Sequence, residues 1–112
     1  MIEKPPIDDA QLYGEIVRHL VQTAAPDTVI VFGSRARGDH RPESDVDILV
    51  VAESDKPRYA RSGSIYSALA GLPVEVDILV YTPREVHEWS KVPLAFVTTA
   101  TCEGTVLYER QH

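Results

Sequence analysis

Cysteines and long apolar runs are scarce in this chain of 112 residues, and each shortage excludes a class of protein. The single cysteine, Cys102, cannot form a disulfide within the chain or supply a cysteine-based metal cage. No apolar run approaches the roughly 20 residues that a membrane-spanning helix needs. The first ten residues, MIEKPPIDDA, are neither a secretory signal nor an Arg-rich transit segment, so we expect a cytoplasmic protein.

Basic residues are also in the minority, since 11 lysines and arginines face 17 aspartates and glutamates, a formal net charge of −6. A nonspecific nucleic-acid binder needs a basic face to displace counterions, so this charge disfavours direct nucleic-acid binding. A local cluster of Arg35, Arg37 and Arg41 still allows a small anionic ligand. The length and the 44% hydrophobic content suit one folded domain, which we expect to span residues 1–112.

Helices are predicted where apolar residues recur with a helical period. Apolar residues at every fourth position, Leu12, Ile16 and Leu20, predict a helix over 9–24, capped by Asp8 or Asp9. The other predicted helical segments are a short turn through Arg37, a long segment from Ser54 that ends as a helix near Gly71, a helix from a capping box at Thr82, and a helix from Leu94 to about Cys102.

Strands are predicted between these helices, where β-branched and apolar residues dominate. Their ranges are 28–32, 45–51, 74–82 and 105–109. The alternation predicts an α/β or α+β fold in which a small mixed β-sheet has flanking helices.

Three aspartates stand on predicted strands, where a strand that needed only a core would carry valine or threonine. Asp45 and Asp47 begin the second strand, and Asp77 lies on the third. Side chains two positions apart on a strand share a face, so Asp45 and Asp47 converge on one site, and Asp77 joins them if the strands are neighbours. Three anions in a partly dry setting raise one another's pKa values, so we expect a cation to compensate them.

Mg²⁺ fits this acidic cluster best, because it takes a couple of carboxylates, some waters and substrate phosphate oxygens. A Ca²⁺ loop of the EF-hand kind would need its ligands in a turn, whereas Asp45 and Asp47 enter a strand. Zn²⁺ would require histidine or cysteine partners, and the four histidines show no ligand spacing. Asp45, Asp47 and Asp77 are therefore the predicted metal ligands.

Gly33 and Ser34, at the end of the first strand, predict the complementary half of the site. A glycine lets the backbone approach a phosphate closely, and a serine at the start of a turn offers a hydroxyl and backbone N–H groups. Arg35 or Arg37 could add a guanidinium for the terminal phosphates. We therefore predict a triphosphate on this turn and a metal between it and Asp45 and Asp47.

The spacing of these elements resembles a known signature. Gly33-Ser34, ten residues and then Asp45-x-Asp47 is similar to the motif of polymerase-β-type nucleotidyltransferases, and Asp77 falls where that superfamily keeps its third carboxylate. The short chain and the stretch VFGSRARG…SDVDILV resemble its smallest branch, the minimal nucleotidyltransferases that accompany HEPN-domain proteins.

This resemblance implies a reaction, its cofactors and a partner. It implies two Mg²⁺ ions, held by Asp45, Asp47 and Asp77, that act on the attacking and leaving oxygens at the α-phosphate of ATP. Asp77 would orient or deprotonate the acceptor hydroxyl. Members of the minimal branch act as antitoxins that transfer AMP to a tyrosine of a HEPN ribonuclease toxin, which makes this the leading functional hypothesis.

Two alternatives remain open at the level of sequence. One is an antibiotic-type nucleotidyltransferase that modifies a small alcohol or amine, which would need an acceptor pocket. The other is a noncatalytic antitoxin that neutralises its toxin by binding alone, in which case Asp47→Asn would leave neutralisation intact. The presence of all three aspartates disfavours the second alternative.

Overall fold

A mixed β-sheet forms the centre of the molecule. The computed structural model describes residues 9–41, 44–89, 100 and 103–111. Within them, four strands lie in the order β3-β2-β1-β4. The strands are β1 (Thr28–Phe32), β2 (Val46–Val51), β3 (Val76–Tyr81) and β4 (Thr105–Glu109). β1 pairs antiparallel with both β2 and β4, whereas β2 and β3 are parallel, which confirms the predicted mixed sheet.

One face of the sheet carries the main hydrophobic core. The helices α1 (Asp9–Ala24) and α3 (Gly63–Leu69) pack on it. α1 contributes Leu12, Ile16 and Leu20, which recur every four residues and are almost completely buried. Alternate strand residues such as Val46 and Ile48 fill the sheet side of this core.

The opposite face carries a smaller cluster that includes Ile30, Leu49, Val51 and Tyr81. Val86 of α4 (Pro83–Trp89) packs against it. Because side chains alternate along a strand, Asp47 and Asp77 belong to this second face, beyond the end of the smaller cluster. The main core therefore supports the site from behind, and the carboxylates stay accessible.

The capping box predicted at Thr82 is confirmed. The backbone N–H of Glu85 donates to Thr82 Oγ1 at 3.2 Å, and that of Thr82 donates to Glu85 Oε1 at 2.8 Å. Arg61 extends the box, because its Nη1 lies 2.6 Å from Glu85 Oε1 and donates to the carbonyl of Val80 at 3.2 Å. The end of β3 and the start of α4 are thus joined to the loop before α3.

Some predicted boundaries differ from the structure. The long segment from Ser54 is helical only at a 3₁₀ turn (Arg58–Ala60) and at α3, which has seven residues. Pro57 fixes an extended backbone just before the 3₁₀ turn, which prevents one continuous helix. Asp9 is the first residue of α1, and its carboxylate bonds to Arg35 and His40. Asp8 and most of the helix predicted from Leu94 to Cys102 lie outside the described residues.

Among the described residues, no helix combines the length and the apolar character that crossing a bilayer requires.

Candidate functional site

The register of β2 and β3 brings two of the predicted aspartates side by side. Asp47 and Asp77 are direct partners in the parallel pairing of these strands, so their side chains project from the same face of the sheet. Asp45 lies two residues before Asp47, just ahead of the first residue of β2, and is exposed. The fold thus groups Asp45, Asp47 and Asp77 at one end of two neighbouring strands.

The surroundings of Asp47 shift its pKa. Its pKa is raised above the usual 3.8, first because the carboxyl is partly buried and then because the charges of Asp77 and Asp45 lie nearby. A hydrogen bond with Asp77 raises this pKa further, and the charge of Arg37 opposes the rise. A carboxylate that is crowded by two others in a partly dry position has an unfavourable charge, which a bound cation would relieve.

Gly33 has a backbone that allows Asp47 to reach this position. Its φ of 72° lies in the region that favours glycine, and a Cβ built there would sit 2.5 Å from Asp47 Oδ2. Phe32, the residue before it, is the register partner of Asp47 across β1 and β2. The glycine therefore provides space for the carboxylate directly against the backbone of the turn.

Ser34 opens the short helical turn α2 (Ser34–Arg37) that follows Gly33. The N–H groups of Ala36 and Arg37 donate to the carbonyl of Gly33 within this turn, at 3.1 and 3.2 Å. These two bonds close a single helical turn directly after Gly33. Gly33, which directly precedes this turn, lies against the Asp47 carboxylate, so the turn begins next to one of the three aspartates.

Arg35 has a structural position that corrects the prediction of a phosphate contact. Its side chain has 0% exposed surface. Its Nη2 and Nε donate to the carbonyl of Ser44 at 2.7 and 3.2 Å, and its Nη1 lies 3.0 Å from Asp9 Oδ1. The guanidinium also lies 5.9 Å from the ring centre of Tyr13. In this conformation Arg35 ties α2 to α1 and to the loop before Asp45, with no surface left for a ligand.

Arg37 is the arginine of α2 that a ligand can reach. Its side chain is 58% exposed, its Nε lies 3.3 Å from Asp39 Oδ2, and its charge acts on Asp47. Sequence reasoning offered Arg35 and Arg37 as equals. Only the tertiary fold separates them, because it seats Asp9 and Ser44 beside Arg35.

The pairing of Asp9 with His40 was not predicted. His40 Nε2 lies 2.7 Å from Asp9 Oδ2, and Arg35 binds the other oxygen of the same carboxylate. The hydrogen bond with His40, helped by Arg35, holds the pKa of Asp9 below its usual value despite partial burial. This network fixes the start of α1 against the loop between α2 and β2. The pairing spans 31 positions in the chain, so no local signal in the sequence could have indicated it.

The donors of the site suit a hard divalent cation that arrives with a nucleotide. Among the described residues, no three His, Cys, Asp or Glu side chains form a ready-made metal cage. Mg²⁺ does not need one, because it is usually held by one or two carboxylates together with substrate phosphates and waters. The crowded carboxylate of Asp47, with Asp45 and Asp77 beside it, meets that requirement.

A family model and a curated relative match this chain. The model, described as a nucleotidyltransferase domain, matches residues 13–100. A protein of Methanocaldococcus jannaschii, described provisionally as a protein adenylyltransferase, is 39% identical over 54 residues. These residues cover 48% of this chain and 54% of that protein, so the match spans about half of the relative's length.

Solved structures agree with the fold. A toxin–antitoxin crystal structure with AMP-PNP has a TM-score of 0.62 at 20% identity, covering 88% of this chain and 74% of the other. A nucleotidyltransferase of Sulfolobus solfataricus, also described provisionally, has a TM-score of 0.61 at 24% identity, covering 90% and 80%. A mutant of the toxin–antitoxin MntA-HpeT has a TM-score of 0.55 at 20% identity, covering 88% and 74%. At these identities the likenesses concern the fold, and they confirm the predicted polymerase-β-like architecture.

Proposed function

The chain belongs to the family of nucleotidyltransferase domains, and from this premise we propose that it transfers AMP from Mg-ATP to a tyrosine hydroxyl of a partner protein. One observation carries the proposal. Asp47 and Asp77 stand in register on neighbouring strands, and Asp47 lies directly against the Gly33–Ser34 turn. A triphosphate on that turn would have its reacting end beside both carboxylates. We propose that residues 1–112 act as one catalytic domain.

The similar proteins support the class of donor and acceptor. The M. jannaschii relative is described as a protein adenylyltransferase, and one toxin–antitoxin structure contains AMP-PNP, an analogue of ATP. The mutant MntA-HpeT carries two Asp-to-Glu substitutions two positions apart, the spacing of Asp45 and Asp47 here. Together they favour ATP over other donors and a protein over a small acceptor.

In the proposed mechanism, the turn at Ser34 binds the phosphates and Arg37 compensates the charge of the departing pyrophosphate. Asp77 orients the acceptor hydroxyl and receives its proton, while the acceptor oxygen bonds to the α-phosphorus and the bond to pyrophosphate breaks. Asp45, Asp47 and Asp77 would hold Mg²⁺, which when bound lowers the pKa of the acceptor hydroxyl and stabilises charge on the phosphates. A tyrosine hydroxyl, with a pKa of about 10, needs such help near neutral pH.

We propose that the partner is a HEPN-domain ribonuclease toxin, which the transfer of AMP neutralises. The two toxin–antitoxin structures with the same fold support this assignment. It also extends the resemblance of the Gly33-Ser34 and Asp45-x-Asp47 signature to the minimal nucleotidyltransferases.

The experiment is to mix the protein with Mg-ATP and the HEPN protein encoded beside it, and to measure the intact mass of the latter. We expect a gain of one or more AMP units on tyrosine, abolished by Asp47→Asn. An unchanged mass with toxicity still neutralised, both by the natural protein and by Asp47→Asn, would instead indicate an antitoxin that acts by binding alone.

A further inference from the structure

A cavity of about 470 Å³ opens beside Asp77 at the outer edge of the sheet. β3 is the edge strand on this side, and the cavity is lined by the end of α3 and by the segment that leads from α3 into β3. Its apolar wall includes Tyr66, Leu69, Leu72 and Val74. The volume lies within the roughly 300–1,000 Å³ that is usual for ligand sites. We call it the acceptor cavity.

The strand order gives a direction across the site. The Gly33–Ser34 turn follows β1, Asp47 lies on β2 and Asp77 lies on β3, so the turn and Asp77 flank Asp47 from opposite sides. In phosphoryl transfer the attacking and leaving oxygens lie roughly in line on opposite sides of the phosphorus. If pyrophosphate leaves toward the turn, the acceptor oxygen must arrive from the side of β3, where the acceptor cavity opens.

Tyr66 forms a fixed wall of this cavity. Its hydroxyl accepts a hydrogen bond from the N–H of Ile78 at 2.8 Å and donates to the carbonyl of the same residue at 3.4 Å. Farther along β3, Arg61 donates to the carbonyl of Val80. These two side chains cover the edge of β3 beyond Asp77. The cavity thus lies at the edge of β3 and is bounded by a side chain that is already held in place.

We propose that the acceptor cavity receives the side chain that is modified, a tyrosine of the partner protein, with its ring against the apolar wall and its hydroxyl toward Asp77. This inference rests on the proposed function and adds to it the surface that selects the acceptor. In the transfer, the phenol oxygen bonds to the α-phosphorus of ATP, pyrophosphate leaves, and the phenol proton passes to the Asp77 carboxylate.

The charges at the cavity favour a phenol over an acidic acceptor. Glu75 and Asp77 both line the cavity and are exposed, so a carboxylate entering it would meet two negative charges. A neutral tyrosine ring avoids this repulsion and covers apolar side chains that water otherwise contacts. Its hydroxyl gives Asp77 a hydrogen-bond donor.

The first test uses the natural protein and a free phenol, and needs no transfer reaction. N-acetyl-tyrosinamide is titrated into protein that carries ¹³C-labelled methyl groups, with N-acetyl-alaninamide as the comparison. We expect saturable shifts of the methyl signals of Leu69, Leu72 and Val74 with the tyrosine compound alone. Shifts elsewhere, or equal shifts with both compounds, would overturn the assignment of the cavity.

The second test fills the cavity and uses a matched substitution elsewhere. Ala70 lines the cavity and is exposed, so Ala70→Trp narrows it without disturbing the core. The control is Ala60→Trp, at an exposed alanine of the 3₁₀ turn. We expect Ala70→Trp to raise the KM for the acceptor protein at least about tenfold, while the Kd for Mg-ATP changes less than about twofold for both variants.

The outcomes separate the cavity from the proposed function. Equal transfer by Ala70→Trp and by the natural protein would overturn the cavity and leave AMP transfer intact. If no AMP reaches the HEPN protein but the tyrosine compound binds at the labelled methyl groups, the partner is wrong and the cavity is supported. If Ala70→Trp does not fold, the methyl titration of the natural protein still decides.

Discussion

At the scale of single residues, the three aspartates show how much of the candidate site the sequence could predict. Aspartates at the start of apolar strands indicate a ligand-binding site, because each buried or crowded charge costs stability unless a ligand compensates it. That reasoning identified Asp45, Asp47 and Asp77 from the sequence, and the register of β2 and β3 groups them. It could not assign roles to the arginines, because Arg35 binds Asp9, 26 positions away, and no local pattern shows this.

Asp47→Asn should stabilise the metal-free protein. The folded state raises the pKa of Asp47, so its charge opposes folding above the pKa of the unfolded state. We expect Tm in EDTA to be higher for Asp47→Asn, and the difference to grow as pH rises from 4 through the raised pKa toward 7. Thermal unfolding across this pH range measures it, with Asp55→Asn as an exposed control. A lower Tm for Asp47→Asn at pH 7 would contradict the crowded-carboxylate account.

Gly33→Ala should disable the site more than it destabilises the fold. The left-handed φ costs about 1–3 kcal/mol in unfolding free energy, and the new Cβ also displaces the Asp47 carboxylate. Gly38 is a matched control, because its φ is +80° and a Cβ there meets nothing within 4 Å. We therefore expect a smaller loss of stability from Gly38→Ala, about 1 kcal/mol, because its ψ of 9° completes a left-handed helical conformation, and a loss of Mg-ATP binding from Gly33→Ala alone. Equal binding by both variants would show that contact with Asp47 is unimportant.

Arg35→Met should lower the stability of the fold, whereas Arg37→Met should weaken nucleotide binding. Arg35→Met removes the donor to the Ser44 carbonyl and to Asp9 Oδ1 and should cost about 2–3 kcal/mol in unfolding free energy. Arg37→Met changes an exposed side chain and should alter stability by less than about 0.5 kcal/mol. It should weaken Mg-ATP binding about tenfold, the effect of one charge-assisted hydrogen bond. Chemical denaturation measures the loss of stability, and nucleotide titration measures the loss of binding. If Arg37→Met destabilised the fold and left Mg-ATP binding unchanged, Arg37 would have a structural role and not a role in nucleotide binding.

At the scale of helices and strands, local signals were sufficient wherever the structure depends on neighbours in sequence. The capping box formed as predicted because its partners, Thr82 and Glu85, are three residues apart. The bounds of α1 and β1 followed from periodicity and β-branched residues. The strand order could not be derived from the sequence. β4 pairs with β1, which lies far from it in sequence, and no short hairpin turn connects the two strands.

The junction of β3 and α4 predicts an acid-sensitive contribution to stability. Burial tends to raise the pKa of Glu85, but the hydrogen bond and charge of Arg61 and the N–H of Thr82 outweigh it, so the pKa lies below the usual 4.5. A depressed pKa stabilises the fold above 4.5, and this stabilisation disappears as pH falls through the folded-state value.

Glu85→Gln tests this junction. We expect it to lower the unfolding free energy by about 1 kcal/mol at pH 7, because the charge paired with Arg61 is lost. The difference between the natural protein and the variant should shrink as pH falls from 4.5 through the lower folded-state pKa, where Glu85 becomes protonated in both states. Chemical denaturation at several pH values measures it, and Glu88→Gln serves as the exposed control. A difference independent of pH would mean that the charge of Glu85 is not what stabilises the junction.

At the scale of the whole molecule, the strand order places the parts of the candidate site next to one another across the sheet. The Gly33–Ser34 turn follows β1, Asp47 is central on β2, and Asp77 lines the proposed acceptor cavity at the edge strand β3. The main core lies behind the site and holds β2 with almost completely buried residues. The acidic site and the net charge of −6 mean that a nucleotide needs divalent cations to approach, so nucleotide binding without metal should be weak.

The most direct test is calorimetric titration with α,β-methylene ATP, which cannot transfer AMP, in the presence of Mg²⁺ and in EDTA. We expect binding with Mg²⁺, none detectable in EDTA, and a loss of affinity of at least about 10²-fold for Asp47→Asn and Asp77→Asn. Asp55→Asn should bind like the natural protein. Equal affinity with and without Mg²⁺, or unchanged affinity in both site variants, would contradict the claim that these carboxylates hold a metal with the nucleotide.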